Sequence, residues 1–141
     1  MINNDLFSMQ GKLVLVTGAS SGLGKHFGQV LAHAGATVVL SARNVEKLQQ
    51  VLEQVQASGA VAHAVDMDVS NSSSVKNAMA QIVTQYGVPD VLVNNAGQSI
   101  AKPMLEQTEE DWDQILDTNL KGCWLVGTEL ARALAAAGKP G

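Results

Sequence analysis

The stretch LVLVTGASSGLGKHFGQVLAHAG, residues 13–35, decides the fold of this chain. It opens with the continuous apolar run Leu13–Val16, which is typical of a strand buried on both faces. A glycine-rich turn follows the strand directly. Apolar residues at helical spacing then predict a helix that ends near Gly35: Leu23, Phe27, Val30, Leu31 and Ala34.

The same alternation of strand and helix repeats along the rest of the chain. Further strands are predicted at residues 37–40, 61–65 and 90–93, and further helices at 45–58 and 72–86. Thr108, with Asp111 three residues later, predicts the N-cap of one long helix that runs to Gly138. Four strand–helix units joined by right-handed crossovers predict an α/β fold with a parallel sheet. No linker is evident, so we expect one domain over residues 1–141.

The bulk properties exclude several classes of protein. The 141 residues carry a net charge of -4, with 46% hydrophobic and 16% charged residues, which favours a globular protein and disfavours nucleic-acid binding. Cys123 is the single cysteine, so we expect neither disulfides nor a thiolate metal site. Residues 1–5 do not resemble a signal peptide, and no apolar run approaches the ~20 residues of a membrane span. We therefore expect a cytoplasmic protein without a metal.

The glycine-rich turn is suited to bind a pyrophosphate. Glycine permits a tight strand-to-helix turn and a close approach of the backbone to phosphate, and the helix N-terminus supplies N–H groups and a positive dipole. An ordinary glycine-rich turn is the alternative, but the position between strand and helix favours a dinucleotide site. The candidate binding residues of this turn are Thr17, Gly18, Ser20, Ser21, Gly22, Leu23 and Gly24.

Four ordered motifs together resemble the short-chain dehydrogenase/reductase family. The turn has the spacing T-G-x-x-x-G-x-G, and the others are Asp68-Val69, Asn94–Gly97 and Asn119–Gly122. The resemblance spans essentially the whole chain. It implies a Rossmann-like sheet with strand order 3-2-1-4, helices on both faces, and truncation before the family's fifth strand. It also implies an NAD(P)-dependent oxidoreductase acting on a carbonyl or alcohol, of which this chain is the cofactor-binding half.

The resemblance also implies roles for individual residues. Asp68, with Val69, corresponds to the family's acceptor for the adenine amino group, although capping of the next helix is an alternative. Asn95, Ala96 and Gly97 lie in the turn that approaches the nicotinamide ribose. Asn119 corresponds to the catalytic asparagine that holds a water in a proton relay. It shares a predicted helix face with apolar residues, where a buried amide needs hydrogen-bond partners, and local backbone is the alternative partner.

The end of the second strand predicts the choice of cofactor. An acid at this point binds the ribose 2′-hydroxyl of NAD, whereas an arginine accommodates the 2′-phosphate of NADP. This chain has Ser41–Asn44 there, with no acid, so Arg43 and Asn44 are candidate binding residues. We predict NADP rather than NAD, although Arg43 could also be a solvated loop charge.

The family's chemistry needs a tyrosine followed four residues later by a lysine. Tyr86 is the only tyrosine, Asp90 stands four residues later, and a core-facing helix position is predicted for Tyr86. We therefore expect this chain alone to be inactive; a non-catalytic nucleotide-binding or self-associating module is the alternative function.

We also predict a homo-oligomer, because the fourth strand lacks its outer neighbour and Trp112 and Trp124 are expected to be exposed. The two copies would associate either through antiparallel fourth strands or through the long helices.

Overall fold

A parallel four-stranded sheet forms the centre of the computed structural model, which describes residues 4–140. Met1–Asn3 of the segment considered for a signal peptide, and Gly141, lie outside the described residues. The strand order is β3-β2-β1-β4, as the resemblance implies. Every strand lies within two residues of its predicted position: β1 is Leu13–Thr17, β2 Thr37–Ala42, β3 Ala62–Asp66 and β4 Val91–Val93.

Helices follow each strand and cover both faces of the sheet. Their N-caps come from polar side chains where the sequence provides them, with Asn44 before α2 and Asn71 before α3. Thr108 and Asp111 form the predicted capping box of α4. The helices are α1 Gly22–His33, α2 Val45–Ala57, α3 Ser72–Gln85, α4 Glu109–Leu116 and α5 Gly122–Ala136.

Two apolar layers flank the sheet, because successive side chains of a strand point to opposite faces. Val14 and Val16 of β1 pack in the layer that contains α1 and α2. Leu13 and Leu15 pack in the layer that contains α3 and α5. All the residues of β1 are buried. The first strand is therefore continuously apolar because both of its faces are buried, as predicted.

The buried face of α1 differs from the predicted one. Leu23, Phe27 and Val30 are exposed, whereas the small residues Gly24, Gly28 and Ala32 face the sheet. The reason is close packing: a Cβ on Gly28 would meet the Leu40 side chain of β2. Small residues let the helix axis approach the strands, so periodicity of large apolar residues selected the wrong face.

The predicted long helix is interrupted. A π-helical turn, Asp117–Lys121, separates α4 from α5. Such a turn inserts one residue into the α-helical register and is frequent at functional sites. It rotates the side chains that follow relative to a regular helix, which changes which residues of this segment are buried.

The fourth strand lies at one edge of the described sheet. It pairs with β1 through Val14↔Val91 to Val16↔Val93, and no strand within residues 4–140 lies on its other side. Asp90 fixes its start, because its Oδ2 accepts a hydrogen bond from the Leu13 backbone N–H at 2.9 Å. That bond holds the pKa of the Asp90 carboxyl below its ordinary value, and Lys139, 3.5 Å away, acts in the same direction.

Candidate functional site

A cavity of about 470 Å³ opens where the strands end at their carboxyl edge. This is the position at which parallel α/β sheets bind ligands, because the loops after β1, β2, β3 and β4 converge there. The lining residues come from all four loops and from the π-helical turn: Gly18, Ser20, Ser21, Gly22, Leu23, Ala42, Arg43, Asn44, Met67, Val69, Asn95, Ala96, Gly97 and Thr118.

The glycine turn needs glycine for two separate reasons. Gly18 and Gly22 have φ of 65° and 53°, in the left-handed region that favours glycine. Gly24 has ordinary helical geometry, but a Cβ there would collide with the Gly18 carbonyl and the Asn95 amide. The turn therefore packs directly on the loop after β4.

The first turn of α1 has backbone donors available at the cavity. Ser21 is the N-cap residue, and its side chain accepts no capping hydrogen bond. The first bond of the helix runs from the Lys25 N–H to the Ser21 carbonyl at 3.2 Å. The N–H groups of residues 22–24 therefore remain as unsatisfied donors at the positive end of the helix dipole, which suits an anionic group.

Thr17 and Asn95 join the glycine turn to the loop after β4. Thr17 is buried, and its hydroxyl accepts hydrogen bonds from the N–H groups of Asn95 and Ala96 at 3.1 and 3.0 Å. The Asn95 amide donates in return to the carbonyls of Thr17 and Gly18 at 3.0 and 3.2 Å. Asn95 lines the cavity, whereas Thr17 and Gly24 support it from behind.

Arg43 and Asn44 form the end of the cavity beyond β2. Arg43 is exposed, and it alone carries a charge among the described residues that line the cavity. Asn44 has a structural role as well, because its Oδ1 accepts a hydrogen bond from the Lys47 N–H at 2.9 Å. The absence of a carboxylate from the described lining leaves this end of the cavity positive.

Asp68 and Val69 follow β3. Val69 lines the cavity, and Asp68 lies beside it without being part of the lining. Asp68 Oδ1 accepts hydrogen bonds from the N–H and the hydroxyl of Ser70 at 3.0 and 2.7 Å. Helix capping is not its role, because Asn71 caps α3. Asp66, the last residue of β3, is exposed.

Asn119 is exposed, which corrects the expectation that it shares a core-facing helix face. It lies in the π-helical turn, where the changed register buries Thr118 instead. Its amide is nevertheless fully engaged with one residue: Oδ1 accepts from the Gln98 N–H at 2.8 Å, and Nδ2 donates to the Gln98 carbonyl at 2.9 Å. Asn119 thus fixes the loop that leaves Gly97.

Two further contacts hold this loop against α4. The Gln98 side chain donates to the Gln114 carbonyl at 2.9 Å, and Lys102 pairs with Asp111 at 2.7 Å. The hydrogen bond from Lys102, followed by that from the Thr108 N–H, holds the pKa of the Asp111 carboxyl below its ordinary value. The sequence reasoning did not identify Gln98 or Lys102, because neither lies in a recognised motif.

Three cavity residues were also missed: Ala42, Met67 and Thr118. Thr118 precedes Asn119 and could have been suspected as a polar residue next to a motif, but a regular helix does not predict its burial. Cys123 is half-buried, and its thiol donates to the Asn119 carbonyl at 3.2 Å.

The described residues contain no metal-binding group and no membrane-spanning helix. Within residues 4–140, no three His, Cys, Asp or Glu side chains cluster in a way that could hold a metal ion. None of the helices in that range combines the length and the apolar character required to cross a bilayer.

Comparison with known proteins identifies related chains. A family model described as short chain dehydrogenase matches residues 12–141. Gluconate 5-dehydrogenase of Gluconobacter oxydans is 37% identical over 139 residues, which are 99% of this chain and 54% of that protein. The chain therefore spans about half the length of this relative.

Solved structures agree with this similarity. A short-chain type dehydrogenase/reductase from Mycobacterium marinum has a TM-score of 0.92 and 36% identity, over 97% of this chain and 54% of that one. A gluconate 5-dehydrogenase from Burkholderia cenocepacia in complex with NADP and tartrate has a TM-score of 0.88 and 32% identity, over 96% and 53%. Identities above 30% over nearly the full chain extend the likeness from the fold to the family.

Proposed function

The chain belongs to the short-chain dehydrogenase family, and on this premise we propose that it is the NADP-binding half of an oxidoreductase. The observation that carries the proposal is the cavity at the carboxyl edge of the sheet, lined by the glycine turn, Arg43 and Asn95–Gly97. The reaction proposed for the complete enzyme is hydride transfer between NADPH and a small carbonyl or alcohol substrate. The bound nicotinamide would supply or accept the hydride.

The residues of this chain fit the parts of a dinucleotide. The N–H groups of the glycine turn and of the first turn of α1 would bind the pyrophosphate. Asn95, Ala96 and Gly97 would bound the nicotinamide ribose, and Asp68 with Val69 would meet the adenine. Asn119 would act on the reaction through the loop it holds at Gln98. These assignments require open space at the turn, and nothing lies within 4 Å of a Cβ added to Gly22.

NADP is favoured over NAD by the charge at the β2 end of the cavity. A guanidinium binds phosphate by charge and by paired hydrogen bonds, whereas NAD sites use a carboxylate for the ribose hydroxyls. Arg43 supplies a guanidinium for the 2′-phosphate of NADP. The described lining residues include no carboxylate that could bind the ribose hydroxyls of NAD. The related gluconate 5-dehydrogenase from Burkholderia cenocepacia was solved with NADP, which is consistent with this choice.

We predict that the chain binds NADPH more tightly than NADH. A hydrogen bond to a charged group contributes about 1.5–3 kcal/mol, and solvent exposure of Arg43 reduces that value, so Arg43→Ala should weaken NADPH about tenfold. NADH affinity should hardly change. Isothermal titration of both dinucleotides into both proteins tests this, and equal affinities in the unaltered chain would refute the choice of NADP.

Lys25 offers a matched control for the general effect of positive charge. It lies on α1, half-buried, and does not line the cavity. Lys25→Ala should therefore shift the affinities for NADPH and NADH by the same factor. If it abolished the NADPH preference as Arg43→Ala is expected to do, that preference would arise from overall potential and not from Arg43.

Self-association is the second part of the proposal. The outer edge of β4 has no strand neighbour in the described residues, and the π-helical turn with its flanking helices exposes Trp112, Leu120 and Trp124 by 62%, 66% and 64%. Leu116, Leu120 and Trp124 also line an apolar groove of about 430 Å³. Because β4 is only three residues long, this helical surface offers the larger area to a second copy of the chain.

We predict a homo-oligomer at micromolar concentration. Trp124→Glu should weaken the association at least about thirtyfold, because central tryptophans of interfaces contribute 2 kcal/mol or more. Analytical ultracentrifugation measures the effect. Val30→Glu, on an exposed apolar position of α1, is the control and should leave association unchanged. A monodisperse monomer of 14.8 kDa in the unaltered chain would contradict the prediction.

A further inference from the structure

Thr118 is a largely buried polar residue at the cavity, and its hydroxyl has no hydrogen-bond partner in the described part of the chain. Only 6% of the residue is exposed. Its hydroxyl makes no hydrogen bond to the described part of the chain, although a helical threonine ordinarily donates to a carbonyl one turn earlier, as Thr84 does to Ala80 at 2.8 Å. With no partner in the described part of the chain, the hydroxyl is available to a group that enters the cavity.

The hydroxyl oxygen faces open space in the cavity. Within residues 4–140, no fully buried side-chain oxygen or nitrogen lacks a hydrogen-bond partner. Since the Thr118 hydroxyl has no protein partner, its oxygen must keep some accessible surface. Thr118 lines the cavity, so that surface belongs to the cavity.

The position of Thr118 along the cavity is set by Gly122. Both residues are buried and lie one turn apart, on the same side of the helical segment. A Cβ on Gly122 would lie 2.8 Å from Val69 Cγ2, so this side of the segment packs against the loop after β3. Thr118 therefore lies at the end of the cavity lined by Met67 and Val69.

We propose that Thr118 is an affinity-determining residue whose hydroxyl donates a hydrogen bond to a ring nitrogen of the adenine base. This inference rests on the proposed function, which places the base beside Val69. A purine offers ring-nitrogen acceptors at its edge, and Met67 and Val69 provide the apolar surface that its faces require. The base then supplies the hydrogen-bond partner that the protein does not.

The test compares two substitutions and two ligand fragments. Thr118→Val keeps the shape and removes the hydroxyl, and Thr118→Ser keeps the hydroxyl. Binding of adenosine 2′,5′-bisphosphate and of nicotinamide mononucleotide is measured by titration, with thermal melting of each unliganded protein. We expect Thr118→Val to weaken the adenosine fragment and NADPH about tenfold, Thr118→Ser to weaken them less than threefold, and the mononucleotide to be unaffected.

Stability gives the readout that separates binding from a structural role. Because the hydroxyl makes no hydrogen bond to the described part of the chain, Thr118→Val removes no intramolecular bond and should melt at nearly the same temperature while it binds the base less tightly. Equal affinity of Thr118→Val and the unaltered chain for the adenosine fragment would overturn the role of Thr118 and leave the proposed function intact. If the unaltered chain bound neither NADPH nor the adenosine fragment, the proposed function would be overturned instead, and this inference with it.

Discussion

Replacing Gly24 by alanine should abolish measurable NADPH binding and destabilise the fold. The added Cβ would collide with the Gly18 carbonyl and the Asn95 amide. The first is backbone in a left-handed turn, and the second is held by hydrogen bonds to Thr17 and Gly18. Neither can move cheaply, so we expect a loss of about 3 kcal/mol in the free energy of unfolding, at the upper end for overpacking.

Binding should fall by more than about a hundredfold in this variant, because relief of the collision moves the turn away from Asn95 and misplaces the phosphate donors. Chemical denaturation and NADPH titration measure the two effects. Gly127→Ala is the matched control: it is a helical glycine of α5 with nothing within 4 Å of an added Cβ. It should gain about 0.5–1 kcal/mol and bind normally. Wild-type binding by Gly24→Ala would contradict our account of the turn.

The fold was predictable because its signals are local and repeated. The apolar run Leu13–Val16 indicates burial on two faces, Gly35 ends a helix, and Thr108 forms a capping box with Asp111. Each of these signals depends on a few adjacent residues. The strand order followed from the family resemblance, and the structure confirms it.

The parts that were not predictable depend on packing between distant segments. Close contacts of Gly24 with the loop after β4, and of Gly28 with the sheet, determine which face of α1 is buried. The larger apolar residues lie on the exposed face, so their spacing predicted the wrong face as buried. The π-helical turn similarly exchanged the roles of Thr118 and Asn119. The regular helical period assumes an uninterrupted α-helix, so it cannot predict a π-helical turn. Which residues of this segment are buried therefore became clear only from the structure.

Tyr86 lies at the opposite edge of the sheet from the cavity. Tyr86 is the C-cap of α3 and precedes β4, so it lies at the amino edge of the sheet, whereas the cavity lies at the carboxyl edge. A strand rises about 3.3 Å per residue, so the five residues of β1 place these edges roughly 16 Å apart. The phenol ring also stacks on His63 of β3, with ring centroids 4.0 Å apart. Proton transfer to a substrate in the cavity would require direct contact or one bridging water.

We therefore predict that the 141-residue chain, supplied with NADPH and a panel of small aldehydes, ketones and sugar acids, oxidises no cofactor above the rate without protein. No tyrosine other than Tyr86 exists in the sequence, so binding of the cofactor would proceed without a phenol to protonate the carbonyl oxygen. Loss of a general acid alone costs about 10²–10⁴-fold. The measurement is the nicotinamide absorbance over hours, and Gly24→Ala serves as the blank. One outcome would contradict this prediction: the unaltered chain and Tyr86→Phe both turn over substrate, and Gly24→Ala does not. It would show that another group in this chain donates the proton.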